Sequence, residues 1–249
     1  MAATSTKMNN SSSNSLGGDN STIVTYDDED QVRSVSVAAA ATATAAPPTT
    51  AAGPVIWTAE TADWYATNFG DAETNRMAVD YLLEHGHMTI CQSMVVDIGC
   101  GTGTALRYIA QQLPTSRMTL MGVDVTPRML EHARQRTNET CPTVDVGRLQ
   151  WRLAPAEDMP LSSNSANVML ALDVLDHVSH LDRVFTEVLR ILKPGGVLAI
   201  GKDASMGEDS NMELHLQCAR NMGLIVLSNR RLTDVDDNVT MDLAILKKP

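Results

Sequence analysis

From position 94 onward, short apolar runs alternate with stretches whose apolar residues recur every three or four positions. Residues 94–98 form a five-residue run interrupted only by Asp97 and read as a strand. Beyond the glycines that follow, Ala105, Leu106, Ile109 and Leu113 share one face of a helix. Residues 118–123 read as a second strand, after which Thr126 suits a helix N-cap with Pro127 at the first helical position. Leu149, Trp151 and Leu153 alternate as a third strand, and the unbroken apolar run 168–172 fits a strand buried on both faces. Leu181, Val184, Phe185, Val188 and Leu192 follow at helical spacing, up to Lys193-Pro194-Gly195-Gly196, where Pro and Gly cannot continue a helix. Residues 197–200 make a fifth strand, 211–222 a helix and 224–227 a sixth strand. Val239, Met241, Leu243 and Ile245 alternate in a last one. This order predicts an α/β fold: a doubly wound, mostly parallel seven-stranded sheet with helices on both faces. The final two strands lack a helix between them, so the last strand is expected to be antiparallel.

The chain before this pattern is of two kinds. Residues 1–53 are dominated by Ser, Thr, Asn and Ala, with the acidic run Asp27-Asp28-Glu29-Asp30. Such a segment has too little apolar surface to offset the entropy of ordering, so a disordered low-complexity tail is expected. Its Ser/Thr-rich start has a faint likeness to a plastid transit peptide, which leaves organellar import open. Residues 54–92 then carry Trp57, Trp64, Tyr65, Phe69 and Tyr81, five of the nine aromatic residues of the chain. They read as a helical N-terminal extension, either a lid facing a substrate or ordinary packing on the sheet. The main domain is expected to span 93–249.

Composition narrows the function. With 249 residues, 43% of them hydrophobic, the chain can build one sizeable core. It has no apolar run of about 18 residues and no secretory signal pattern, so a soluble, cytoplasmic protein without membrane insertion is expected. The net charge of −11 repels phosphate backbones, and no cluster of Lys and Arg offsets it, which argues against a nucleic-acid partner. Cys91, Cys100, Cys141 and Cys218 show no CxxC spacing. His85, His87, His177 and His180 lack companions at ligand spacing, so neither a disulfide framework nor a metal site is expected.

Chemistry concentrates at two strand ends. The first strand runs into Gly99-Cys100-Gly101-Thr102-Gly103, a loop that can turn tightly and present helix N-terminal amides to an anionic group. The second ends at Asp124, 27 residues beyond Asp97, where a carboxylate can accept two hydrogen bonds from vicinal ribose hydroxyls. Together they indicate a cofactor containing adenosine. The dinucleotide pattern GxGxxG fails at Thr104, and the acid at Asp97 would sit badly beside a pyrophosphate. It suits a ligand bearing an amino group and a sulfonium.

These residues carry a family resemblance. The run 95–103, Val-Val-Asp-Ile-Gly-Cys-Gly-Thr-Gly, resembles motif I of the class I, Rossmann-like methyltransferases that use S-adenosylmethionine (S-adenosyl-L-methionine). Gly122-Val123-Asp124 resembles their ribose-binding strand end. Pro155-Ala156-Glu157-Asp158-Met159-Pro160 resembles the adenine-contact loop of the UbiE-like, methyltransferase type 11, small-molecule branch. Leu189 to Gly196 resembles the turn before that family's fifth strand. The resemblance implies that Gly99, Gly101 and Gly103, with Cys100 in the loop, line the methionine and ribose moieties. Asp97 would orient the loop and the amino group, and Asp124 would hold the ribose with Val125 against the adenine. Ala156 would offer its amide to the ring, and Leu172 and Asp173 would close the cleft. The family's loop usually has an acidic residue where Pro155 stands; Glu157 is close enough to replace it.

The implied activity is methyl transfer by in-line displacement, in which the cofactor supplies the reactivity and the protein supplies alignment and exclusion of water. A small-molecule acceptor is favoured, because no added recognition domain is visible and Asp173-Val174-Leu175-Asp176 stands where target-amine enzymes place Asn-Pro-Pro-Tyr. A protein methyltransferase and a non-catalytic cofactor-binding accessory subunit are the alternatives. His177, Asp173 and Asp176 are the candidates for a general base, with packing and capping as the competing reading of His177. The acceptor, the atom methylated and the oligomeric state are not specified by these patterns.

Overall fold

A computed structural model of the chain describes residues 56–89, 94–142, 144, 147–205 and 211–249. The expected tail 1–53 and Cys91 lie outside the described residues. Seven strands form one sheet in the order β3-β2-β1-β4-β5-β7-β6. They are β1 (Met94–Ile98), β2 (Thr119–Asp124), β3 (Leu149–Leu153), β4 (Ala166–Leu172), β5 (Leu192–Asp203), β6 (Ile225–Asp234) and β7 (Val239–Lys247). β7 runs antiparallel to both its neighbours, and the other six strands share one direction. The doubly wound sheet and its reversed last strand are those expected from the apolar pattern.

Successive side chains of a strand point to opposite faces, so Val95 and Val96 enter different cores. On Val95's side lie α2 (Glu73–Glu84), α3 (Thr104–Gln112) and α4 (Pro127–Thr140), contributing Leu82, Leu106, Ile109 and Leu130. On Val96's side lie α5 (Leu181–Ile191) and α6 (Met212–Asn221), contributing Phe185, Val188 and Leu216. The first helix, α1 (Ala59–Phe69), packs on α4 rather than on the sheet. Among the described helices, none is long and apolar enough to cross a membrane.

The structure departs from the sequence pattern at two strand boundaries. β5 begins at Leu192, straight after α5, rather than at 197. The Pro-Gly stretch is held there by the chain's end: Gly195 N–H donates to Lys248 O, and Lys248 N–H donates to Gly196 O. The register shift between Ala166 and Val168 of β4 absorbs the irregularity. β6 runs to Asp234, well past 227, because its pairing with β7 continues through Asp234↔Val239 and includes the Arg231–Asp242 ion pair. The first extension comes from hydrogen bonds to residues far along the chain, and the second from pairing within the β6–β7 hairpin.

Strand order reverses between β1 and β4. The crevice beyond the carboxyl ends of these two strands is where an open α/β sheet accommodates a ligand.

Candidate cofactor cavity

A cavity opens at that crevice. Of the residues named from sequence, Gly99, Gly101, Asp124, Val125, Ala156, Glu157, Leu172, Asp173 and His177 line it. Asp97, Cys100, Gly103 and Asp176 are not in its lining.

The glycine loop divides its labour. Gly103 has φ 79°, and a Cβ there would stand 2.3 Å from the ring of Trp151. Its missing side chain lets the loop pack on β3. Gly101, at φ 51°, has nothing within 4 Å of its Cβ direction, so it is the bare backbone that faces the cavity. Gly101 N–H donates to Asp124 Oδ2 at 2.9 Å, and Thr126 N–H donates to Oδ1 at 2.8 Å. Asp124 therefore staples the loop of β1 to the end of β2 while facing the cavity. Burial pushes its carboxyl upward, and the Thr126 and Gly101 amides pull the other way.

Asp97 sits inside the sheet, opposite Gly122 on β2 and Leu170 on β4, and is 4% exposed. Burial first, and the nearby Asp124 charge second, push it up to about 8. Cys100 is buried as well, its thiol pushed upward by the same two causes and by Asp97.

The loop after β3 meets the helix side of the crevice through Glu157. Its Oε1 accepts from Ser179 N–H at 3.1 Å, while Oε2 is buried and has no partner among the described residues. A buried carboxylate oxygen left without a donor is costly, and an amine donor from a ligand would satisfy it.

Asp173 leaves β4 with φ 53°, a conformation disfavoured for a non-glycine residue. It is pinned there: Asp173 N–H donates to Gly201 O at 2.9 Å, and its Oδ1 accepts from Asp203 N–H at 2.6 Å. Burial pushes its carboxyl up to about 6. Asp176 points elsewhere, bonded to Lys202, Asn211 and His215, and is held well below the usual carboxylate range, first by His215. An acid so firmly ionised is a poor proton acceptor. His177 lies in a 3₁₀ turn with its ring edge-on to Trp57 at 6.1 Å, and burial lowers its pKa, keeping the imidazole neutral.

Trp57 and Tyr65 complete the wall. Trp57 N–H donates to Thr126 Oγ1 at 3.3 Å, and its ring meets Tyr65 at 5.1 Å. The Tyr65 hydroxyl is pushed up to about 12 by burial, then by Asp173, Asp124 and Asp203. The aromatic concentration in the sequence was the one signal for these two. Nothing in the sequence marked Met129, Val174 or Val178, apolar residues that also line the cavity.

The arrangement fits an adenosyl ligand with a cationic centre. It offers a carboxylate facing the cavity at Asp124, an open backbone edge at Gly101, an unsatisfied acceptor at Glu157 and several carboxylates around the crevice. Residues 96–200 match the family described as "Methyltransferase domain". A demethylmenaquinone methyltransferase of Tropheryma whipplei is 32% identical over 43% of this chain and 40% of its own length. A trans-aconitate 2-methyltransferase of Klebsiella pneumoniae is 31% identical over 66% of this chain and 59% of its own. The chain thus spans less than two thirds of the curated relatives it matches. A SAM-dependent methyltransferase of Aquifex aeolicus shares the fold of this chain, with a TM-score of 0.60 at 16% identity, over 78% of this chain and all of that one (100%).

Proposed function

We propose that the chain binds S-adenosylmethionine in this cavity and methylates a small-molecule acceptor. The observation that carries the reading is the Asp124 carboxylate, bonded to Gly101 N–H and turned to the cavity at the strand switch point. When bound, the cofactor supplies an electrophilic methyl group on a sulfonium.

The residues of the chain do the rest. Asp124 accepts the ribose hydroxyls, with Val125 against the adenine. Ala156 and Glu157 meet the ring edge, where Glu157 takes the place of the acid absent at Pro155. Gly99, Gly101, Leu172 and Asp173 bound the methionine end. Asp97 and Cys100 act from behind the loop, as does Gly103. Trp57 and Tyr65, from the extension 54–92, exclude water over the reacting centre. The neutral His177 and the raised Asp173 are the groups able to take a proton where the acceptor must lose one.

Among the described lining residues there is no Lys or Arg. Lys202 is held by Asp176, and Arg128 by Asp63 and Glu131. That supports an acceptor without carboxylate or phosphate groups. The scattered, unpaired thiols of Cys100, Cys141 and Cys218 support a cytoplasmic setting.

Calorimetric titration with S-adenosylhomocysteine tests the site, and saturable one-to-one binding is expected. A panel of neutral acceptors with radiolabelled cofactor then tests transfer. A folded protein that does not bind the product nucleoside would sink the proposal.

A further inference from the structure

The wall that carries Trp57 and Tyr65 is fastened to the glycine loop at one point. The carbonyl of Gly70, in the turn between α1 and α2, accepts from the hydroxyls of Thr102 at 2.5 Å and Thr104 at 2.6 Å. Both threonines are buried, at 3% and 5% exposure, and neither lines the cavity. The two hydroxyls also lie 3.2 Å from each other. One carbonyl thus takes both, and a second layer surrounds it. Asp71 bridges Arg107 of α3 and Arg136 of α4 at 2.6 Å each, and Arg136 also donates to Ala66 O at 2.5 Å.

Five residues before Gly70, Tyr65 faces the cavity. One residue before Thr102, Gly101 donates to Asp124. The path from cofactor carboxylate to aromatic wall is therefore Asp124, Gly101, Thr102, Gly70, α1, Tyr65, all joined by hydrogen bonds or by chain.

We propose that Thr102 and Thr104 are positioning residues that link the aromatic wall to the cofactor loop, so that ordering the loop around a cofactor also fixes the acceptor side of the cavity. This rests on the proposed cofactor site. Two buried hydroxyls on one carbonyl add directional hydrogen bonds to the packing and so hold the register of the two segments more closely than apolar contact alone. The consequence is an ordered reaction in which the cofactor binds first and the wall then presents its rings to the acceptor.

The test compares the full-length chain carrying T102V/T104V with T102S/T104S. Valine keeps the shape and removes the hydroxyl; serine keeps the hydroxyl. The readouts are calorimetric affinity for S-adenosylhomocysteine, Tm, and the protection of the 56–71 segment from proteolysis that the nucleoside confers. The valine pair should bind at least tenfold more weakly and lose that protection while still unfolding cooperatively. The serine pair should stay within threefold of the parent in both. A valine pair with lower Tm but parental affinity and protection overturns the proposal, as does a serine pair as impaired as the valine pair. A valine pair that does not fold shifts the decision to the single variants T102V and T104V, of which at least one must weaken binding and protection. If the parent protein itself binds no nucleoside, the site reading fails, and this inference with it.

Discussion

At the scale of single residues, the same amino acid does unlike work according to where the sheet places it. Asp97 and Asp124 both lie near the carboxyl ends of strands, yet one is sealed between β2 and β4 and the other faces the cavity. Asp97 is raised from 3.8 to about 8, so the folded state holds its proton more tightly than the unfolded chain. Its favourable contribution is complete below about pH 4 and is lost as pH rises through 8. Asp97→Asn should therefore raise the Tm of the ligand-free protein at pH 8 by roughly 3 °C or more, and by little at pH 4. Scanning calorimetry across that range checks the sign. Above about pH 8, where Asp97 is ionised, the same variant should bind a cationic cofactor about tenfold more weakly, because the amide carries no charge. Asp124→Asn should cost about 2 kcal/mol of cofactor affinity through its ribose contacts, and unchanged calorimetric affinity would remove Asp124 from the site. The glycines separate in the same way. Gly103→Ala must displace Trp151 and should lower Tm, whereas Gly101→Ala meets no neighbour, costs only the strain of its positive φ, and should in addition weaken nucleoside binding.

Among the elements, α5 shows how much of the fold local pattern specifies. Val184, Phe185, Val188 and Ile191 form its buried stripe; the first three are on the apolar face apparent in the sequence, whereas the pattern closes the helix with Leu192 rather than Ile191. Leu192 is buried too, as the first residue of β5. Phe185→Ala should cost about 3–5 kcal/mol by leaving a cavity under β4 and β5, read as a lower denaturant midpoint with unchanged slope. α1 is the opposite case. Its burial is slight, with only Ala62 and Ala66 buried, and it is fastened instead by polar contacts: Asp63 to Arg128 and His132 and, in the turn just after it, Asp71 to Arg107 and Arg136. These pairs join residues more than 30 positions apart, so no window of sequence could have paired them.

For the whole molecule, removing residues 1–53 is expected to move Tm by less than about 2 °C, since a segment dominated by Ser, Thr, Asn and Ala has little apolar surface to add to a core. A drop of many degrees in a melting curve of the truncated chain would show the tail to be part of the fold. What the sequence by itself determined is the sheet with its helices, through apolar periods of two and 3.6, and the cofactor class, through the glycine loop and Asp124 set one strand apart. Those signals are local: each needs only a few neighbouring residues to carry its physics. Only the tertiary structure decided which glycines line the cavity, that Glu157 leaves an oxygen unsatisfied, that Asp176 is bound to Lys202 and His215, and that Trp57 and Tyr65 wall the cavity. Each of these depends on what a side chain meets across the fold, and burial, hydrogen bonding and charge are set by those distant partners rather than by neighbours in the chain.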